Sequence, residues 1–118
     1  MPLTRLVSSR GTMTKFTFDT EQASSLLDLM AHSARLTVLQ LISEREWDVT
    51  SLAQTVGLSQ SALSQHLKKL RDGKIVTTRR DRQTVYYSAK SDAVEKMLAA
   101  LDEIAMEPSK LVKASSRS

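Results

Sequence analysis

The sequence of 118 residues contains no cysteine. Disulfide bonds, thiolate metal ligands and thiol-based redox switching are therefore all excluded. No apolar run approaches the roughly 20 residues that cross a bilayer, and the N-terminus lacks the apolar segment of a signal peptide. The sequence also has no internal repeat and no low-complexity tract. We therefore expect one soluble domain in the cytoplasm, without membrane contact.

The side-chain combinations that enzymes use for catalysis are also missing. Carboxylates are plentiful, but those of Glu44, Glu46 and the Asp102-Glu103 pair lie on predicted helical faces. They have no accompanying histidine or cysteine arrangement for nucleophilic catalysis, and the chain has no glycine-rich phosphate loop. The sequence therefore predicts that the protein is not an enzyme and holds no cofactor.

Positive charge is concentrated in one internal block. The formal net charge is +4, but residues 60–90 carry eight basic side chains and two acidic ones. Residues 19–59, by contrast, carry two basic and six acidic side chains. A basic face of this kind favours an anionic partner such as nucleic acid.

Apolar periodicity and capping residues predict a mainly helical fold with one small β-hairpin. Four helices are predicted first. One begins at residue 20, directly after the capping residue Asp19. The other three run from Ser33 to about Ser43, from Val49 to Val56, and from Gln60 to Arg71. The hairpin follows, with strands at 75–79 and 84–88, and a last helix begins after Ser91 and ends before Pro108. The order α-α-α-α-β-β-α is that of a winged helix-turn-helix. We expect residues 19–107 to form this domain, residues 1–18 a flexible arm and residues 108–118 a flexible tail.

Two glycines are predicted to end helices. Gly57 and Gly73 each follow a helical stretch directly, where a positive φ is common and glycine adopts it most readily. With Gly57 as the turn, the sequence predicts a helix, a tight turn and a second helix.

The helix from Gln60 has a polar side unlike an ordinary solvent face. Leu63, Leu67 and Leu70 fall on one side of a helical wheel. On the other side, the residues near the N-terminal end of the helix have short, uncharged side chains. Small hydroxyls and amides suit base edges in a major groove, and arginines in the hairpin suit phosphates or the minor groove. The predicted DNA contacts are Ser59, Gln60, Ser61, Ser64, Gln65, Lys68, Lys69, Arg79, Arg80, Arg82 and Gln83.

Several stretches, in this order, resemble the ArsR/SmtB family of bacterial winged-helix repressors: Ala34-Arg35-Leu36, 49–57, 58–70 and Val85-Tyr86-Tyr87-Ser88. The resemblance covers about residues 22–105. It implies a sequence-specific repressor that binds a palindromic DNA operator as a homodimer and is associated with the bacterial nucleoid when bound. It also implies that the first and last helices form the interface, for which we expect Leu26, Leu27, Met30, Met97, Leu98, Leu101 and Ile104.

The chain departs from its metal-sensing relatives. The positions of their third-helix cysteines align with Asp48 and Thr50, and those of their last-helix ligands with Ser91, Ala93, Ile104 and Glu107. Because a zinc or copper site needs three or four converging ligands, we predict no metal site. His66 is expected at the edge of the core with a local hydrogen bond, and His32 in a capping or surface role. Arg82 occupies a wing position where glycine is frequent, and a positive φ there would cost about 1 kcal/mol.

Two other functions are compatible with the same pattern. The protein could be a switch that binds an organic effector between its helices, or a winged-helix module that binds proteins and not DNA. Of Tyr86 and Tyr87, one is expected to pack under the wing and the other to approach DNA, and the sequence does not say which is which.

Overall fold

The computed structural model describes residues 15–106, which form five helices and three short strands. In chain order these are α1 (Thr20–Met30), α2 (Ser33–Glu44), β1 (Trp47–Asp48), α3 (Val49–Val56), α4 (Gln60–Asp72), β2 (Thr77–Asp81), β3 (Thr84–Ser88) and α5 (Asp92–Ala105). The predicted mainly helical architecture is confirmed. Most of the predicted arm (1–18) and all of the predicted tail (108–118) lie outside the described residues. Within 15–106, no helix has the length and apolar character needed to span a membrane.

Each helix begins at a side chain that accepts a hydrogen bond from a backbone N–H of the first turn. These capping residues are Asp19, His32, Asp48, Ser59 and Ser91. His32 therefore has the predicted capping role, with its Nδ1 3.1 Å from the Ala34 nitrogen. At Asp48, the backbone N–H of Ser51 holds the pKa of the carboxyl below its usual value. Such caps typically stabilise a helix by about 1 kcal/mol.

Buried side chains from all five helices form one hydrophobic core, and partly buried residues such as Tyr87 of the sheet pack against it. Val38 and Leu39 of α2 are fully buried, as are Leu52 of α3 and Val94 of α5. The backbone N–H of Ala89, just after β3, donates to the Ile42 carbonyl of α2 at 3.0 Å. This bond fixes the base of the wing to the core.

The turn between α3 and α4 depends on Gly57. Its φ is +80°, the left-handed conformation predicted for it. The N–H groups of Gly57 and Leu58 both donate to the Ala53 carbonyl, at 2.9 and 3.0 Å. α4 can therefore begin at Gln60, directly after the turn.

Gly73 ends α4 in a different way from the one predicted. Its φ is −79°, and the next residue, Lys74, has the positive φ of 65°. A Cβ on Gly73 would overlap the side chain of Leu29. A larger residue at 73 would therefore require the Leu29 side chain of α1 to move, and the prediction of a left-handed Gly73 was wrong.

The sheet has a third strand that the sequence did not predict. Its order is β1-β3-β2 and both pairings are antiparallel, with Trp47 opposite Tyr87 and Asp48 opposite Tyr86. A strand of two residues has no periodicity to detect, since it exists only through its pairing with β3 about 40 residues later.

The first wing strand begins and ends two residues later than predicted. Ile75 and Val76 are buried in the core before the strand starts. Pairing continues to Arg80 opposite Val85 and Asp81 opposite Thr84, so that only Arg82 and Gln83 form the turn. Arg82 has a φ of 62°, the positive value expected at a position where glycine is frequent.

Candidate nucleic-acid interface

The polar face of α4, which we define as Gln60, Ser61, Ser64, Gln65, Lys68 and Lys69, is exposed along its whole length. The opposite side of the helix is anchored by Leu63, Leu67 and Leu70, none more than 1% exposed. Ser59, also predicted to contact DNA, is exposed and its Oγ accepts from the Ala62 N–H at 3.1 Å. A helix anchored by buried leucines thus presents two amides and two hydroxyls to solvent, followed by two lysines.

Gln60 is held at the start of this face by the preceding helix. Its amide Nε2 donates to the hydroxyl Oγ1 of Thr50 at 3.2 Å. Both side chains are exposed, and the bond joins the first turn of α3 to the first turn of α4. Sequence reasoning missed this role of Thr50, because residues ten positions apart have no sequence signal for such a contact.

Lys68 is paired within its own helix. Its ammonium lies 2.9 Å from the Asp72 carboxylate, and both side chains are well exposed, at 70% and 62%. This hydrogen bond from Lys68 lowers the pKa of Asp72. Since an exposed i,i+4 pair is weak, Lys68 can exchange this carboxylate for a phosphate.

Arg79 differs from the other wing arginines because it forms an ion pair with Glu46. Its Nε and Nη2 donate to the two carboxylate oxygens of Glu46 at 2.9 and 2.7 Å. Its guanidinium also lies over the Tyr86 ring, 4.8 Å from the centroid. The hydrogen bonds from Arg79 lower the pKa of Glu46 and raise that of Arg79. In the structure Arg79 therefore binds the neighbouring chain segment, although the sequence suggested that it contacts DNA.

Arg80 and Arg82, at the tip of the wing, are exposed together with Gln83. Among the residues that the structure describes, neither arginine makes an ion pair with a carboxylate. These two guanidinium groups are therefore available to bind an external anion.

The two wing tyrosines lie on opposite faces of the sheet. Tyr87 packs against the hydrophobic core with Trp47, its partner across the strands. Tyr86 lies on the other face, under the guanidinium of Arg79. Tyr87 is therefore the residue under the wing, and Tyr86 has the outer position.

The two histidines form a small cluster behind α4. The rings of His32 and His66 are 4.6 Å apart, and His66 Nδ1 accepts from the Nε of Arg35 at 3.2 Å. Arg35 also donates to the carbonyls of Asp28 and Leu29 at the end of α1. Burial, and then the charges of His32 and Arg35, lower the pKa of His66. His66 thus lies at the edge of the core with a hydrogen bond to a neighbouring helix.

The candidate metal ligands of the described residues do not form a cluster. Over residues 15–106, no three side chains among histidine, cysteine, aspartate and glutamate come close enough to hold an ion. Glu107, one of the positions discussed above, lies outside the described residues.

The residues predicted for a dimer interface differ in exposure. Leu27 of α1 and Ile104 of α5 are exposed, at 51% and 40%. The others except Met30 are half-buried, and they are Leu26, Met97, Leu98 and Leu101. Met30 is only 3% exposed and belongs to the core of the single chain, so it offers no surface to a partner.

More apolar surface lies near these residues than the sequence suggested. Phe16 and Phe18, just before α1, are 57% and 55% exposed, and Met106, just after α5, is 79% exposed. A groove of about 710 Å³ also runs between α2 and α5, lined by Leu36, Leu98 and others. The apolar surface of Phe16 and Phe18 was not predicted, because residues 1–18 were expected to form a flexible arm.

Comparison with known proteins places the chain among regulators. Residues 32–78 match the family described as bacterial regulatory protein, arsR family. The nodulation protein NolR of Rhizobium meliloti is 55% identical over 86 residues, which are 73% of this chain and 70% of that protein. The family is one of regulatory proteins, in agreement with the prediction that the chain is not an enzyme.

Solved structures give the same result for the fold. The crystal structure of NolR from Sinorhizobium fredii is similar with a TM-score of 0.71 and 54% identity, over 72% of this chain and 85% of that one. A homodimeric winged helix-turn-helix DNA-binding domain from Mycobacterium bovis has a TM-score of 0.67 and 26% identity, over 75% and 82% of the two chains. The predicted winged helix-turn-helix fold is thereby confirmed.

Proposed function

The chain belongs to the arsR family of bacterial regulatory proteins and is a DNA-binding transcriptional regulator, and from this premise we propose that it represses transcription as a homodimer on an inverted-repeat DNA site. In this proposal the polar face of α4 enters the major groove of each half-site. The wing lies alongside and contacts the DNA backbone or the adjacent minor groove.

One observation carries the proposal: an exposed, uncharged row of amides and hydroxyls lies next to exposed cations. Gln60 and Gln65 each have a donor and an acceptor, the pair that reads an adenine edge in the major groove. Ser61 and Ser64 are short enough for α4 to approach the bases closely. Lys69 and the wing arginines supply charge for phosphates, which position the protein without reading sequence.

The contacts proposed for each protomer follow from exposure. Base edges are assigned to the amides and hydroxyls, and phosphates to the cations of α4 and the wing tip. The set is Ser59, Gln60, Ser61, Ser64, Gln65, Lys68, Lys69, Arg80, Arg82 and Gln83. Arg79 is left out of this set because its Nε and Nη2 donate to Glu46, whose carboxylate compensates its charge.

A second copy of the chain is the proposed partner at α1 and α5. Leu27 and Ile104 expose apolar surface on these two helices. The similar M. bovis domain is described as homodimeric, which supports the same assembly here. In a two-fold symmetric dimer the two α4 helices would lie in major grooves one or more helical turns apart, about 34 to 36 Å per turn, and would require an inverted repeat. No metal ion or cofactor has a part in this proposal.

Selection from random duplexes tests the proposal. The enriched sequences should contain an inverted repeat whose half-sites are one helical turn or a multiple apart. Affinity for them should fall steeply with salt, by about 0.9 in the log–log slope for each phosphate contacted. In a transcription assay, a promoter that overlaps the site should lose activity when protein is added. Enrichment of no common sequence, together with a salt slope near zero, would instead indicate a module that binds proteins.

A further inference from the structure

We propose that Thr50 is a positioning residue for base recognition, because its hydroxyl holds the amide of Gln60 in place before DNA binds. This inference rests on the proposed function and concerns the specificity of the same interface. It starts from the hydrogen bond between Gln60 Nε2 and Thr50 Oγ1, 3.2 Å long, between two exposed side chains.

The chemistry of the amide leaves Gln60 able to read a base while it is held. A glutamine amide has two N–H donors and one carbonyl acceptor. In this proposal the bond to Thr50 uses the N–H that points away from the carbonyl oxygen, so the carbonyl oxygen and the N–H beside it remain. These are the two groups that an adenine edge pairs with, through its N7 acceptor and its N6 donor.

Both ends of this hydrogen bond are fixed to the core. Thr50 is followed in α3 by the buried Leu52, and Gln60 is followed in α4 by the buried Leu63. Threonine is stiff about χ1 because of its branched Cβ, so its hydroxyl has few orientations in a helix. The position of the hydroxyl is therefore set by the fold, and it can determine where the Gln60 amide points.

The expected effect is a gain in specificity. A free glutamine side chain loses rotamer freedom when it binds a base, and a side chain that is already oriented loses less. Loss of the Thr50 hydroxyl should therefore weaken discrimination at the base that Gln60 reads, by about threefold to tenfold. Phosphate contacts should not change, since Thr50 carries no charge.

Three variants test the assignment. Thr50→Val removes the hydroxyl and keeps the shape, and Thr50→Ser keeps the hydroxyl. Thr55→Val is the matched control, because Thr55 is also exposed on α3 but has no side-chain hydrogen bond in the described part of the chain. Each is titrated with the selected operator, with operators changed at one base pair, and with random duplex, at several salt concentrations.

We expect Thr50→Val to lose discrimination at one base position per half-site, the position that Gln60→Ala also loses. The double variant should lose no more than Gln60→Ala alone. Thr50→Ser keeps the hydroxyl without the branched Cβ and should lose less discrimination than Thr50→Val, and Thr55→Val should behave like the wild type. Affinity for random duplex and the salt slope should be unchanged throughout. If Thr50→Val discriminates like the wild type, or loses affinity equally for every duplex, the proposed role of Thr50 is wrong. The proposed function would still stand. A wild-type protein that does not distinguish operator from random duplex would overturn the proposed function and this inference together.

Discussion

Arg79 and Glu46 form a two-pronged ion pair that joins the first wing strand to the segment between α2 and β1. The donor nitrogens of Arg79 lie 2.9 and 2.7 Å from the two carboxylate oxygens. Glu46 therefore competes with DNA phosphates for Arg79. It also places a negative charge beside the arginines of the wing.

Removal of that negative charge should strengthen DNA binding. In Glu46→Gln, Arg79 becomes available to a phosphate, so affinity should rise for all duplexes alike and the salt slope should steepen by up to about 0.9. Thermal stability should change little, because exposed ion pairs contribute little to folding. Fluorescence anisotropy with operator and random duplex at several salt concentrations measures both effects. Glu44→Gln is the control, since Glu44 is exposed but bonds to no cation among residues 15–106. Equal salt slopes in the two variants would contradict this competition.

Substitutions on α4 and the wing should separate the contribution of base recognition to DNA binding from the contribution of positive charge. Gln65→Ala should reduce discrimination between operator and altered operator by about 1 to 3 kcal/mol, the usual worth of one bidentate base contact. Arg80→Ala should weaken operator and random duplex by the same factor and make the salt slope shallower. Competition titrations with both duplexes distinguish the two patterns. A uniform loss for Gln65→Ala would remove this glutamine from the set of base-reading residues.

The stability of the fold should fall in mild acid because of His66. Its pKa lies below the usual 6.5, so in acid the unfolded chain binds more protons than the native one. The stability conferred by the neutral ring is complete above about pH 6.5 and is lost as the pH falls through the native pKa. Protonation would also remove the Nδ1 acceptor of Arg35 and oppose the nearby charges of Arg35 and His32.

Urea unfolding at pH 7.5 and pH 5.5 measures this contribution. His66→Gln keeps a hydrogen-bond acceptor and cannot be protonated in this range. It should therefore lose less stability between the two pH values than the wild type does. An identical loss in both proteins would assign the acid sensitivity to other groups.

Replacing Arg82 in the wing turn by glycine should raise the stability of the fold and weaken DNA binding. Arg82 has a φ of 62°, so Arg82→Gly relieves backbone strain and should raise the free energy of unfolding by up to about 1 kcal/mol. The same change removes a cation and should weaken binding to all duplexes. In Gln83→Gly, whose position has no positive φ, stability should fall instead. Chemical denaturation of the three proteins tests the sign, and a less stable Arg82→Gly would show that the arginine is not strained.

The proposed dimer surface can be tested without disturbing the core. Leu27 is 51% exposed in the single chain, so Leu27→Glu should leave the fold intact. A charge buried between two copies is strongly unfavourable, and the variant should therefore be monomeric and bind the operator poorly. Circular dichroism reports the fold and sedimentation reports the mass. A Leu27→Glu protein that remains dimeric would exclude Leu27 from the interface.

Most of the fold was predictable because its signals are local. Capping residues such as Asp19, Ser59 and Ser91 marked the helix starts, and Gly57 marked the turn before α4. The exposed face of α4 followed from the spacing of its leucines.

Long-range contacts were not predictable in the same way. Strand β1 exists only by pairing with β3, and the close approach at Gly73 comes from the Leu29 side chain on another helix. The Arg79–Glu46 and Gln60–Thr50 contacts join residues 33 and 10 positions apart. A list of charged or polar residues therefore predicted which side chains lie on the candidate surface, but not which of them are already engaged.

The most direct test of the account is the stoichiometry of the DNA complex. Sedimentation velocity with a duplex that carries the selected inverted repeat should show two protein chains per duplex. A duplex with a single half-site should bind far more weakly. One chain per duplex, with equal affinity for the full site and the half-site, would contradict the proposal that two copies read the DNA together.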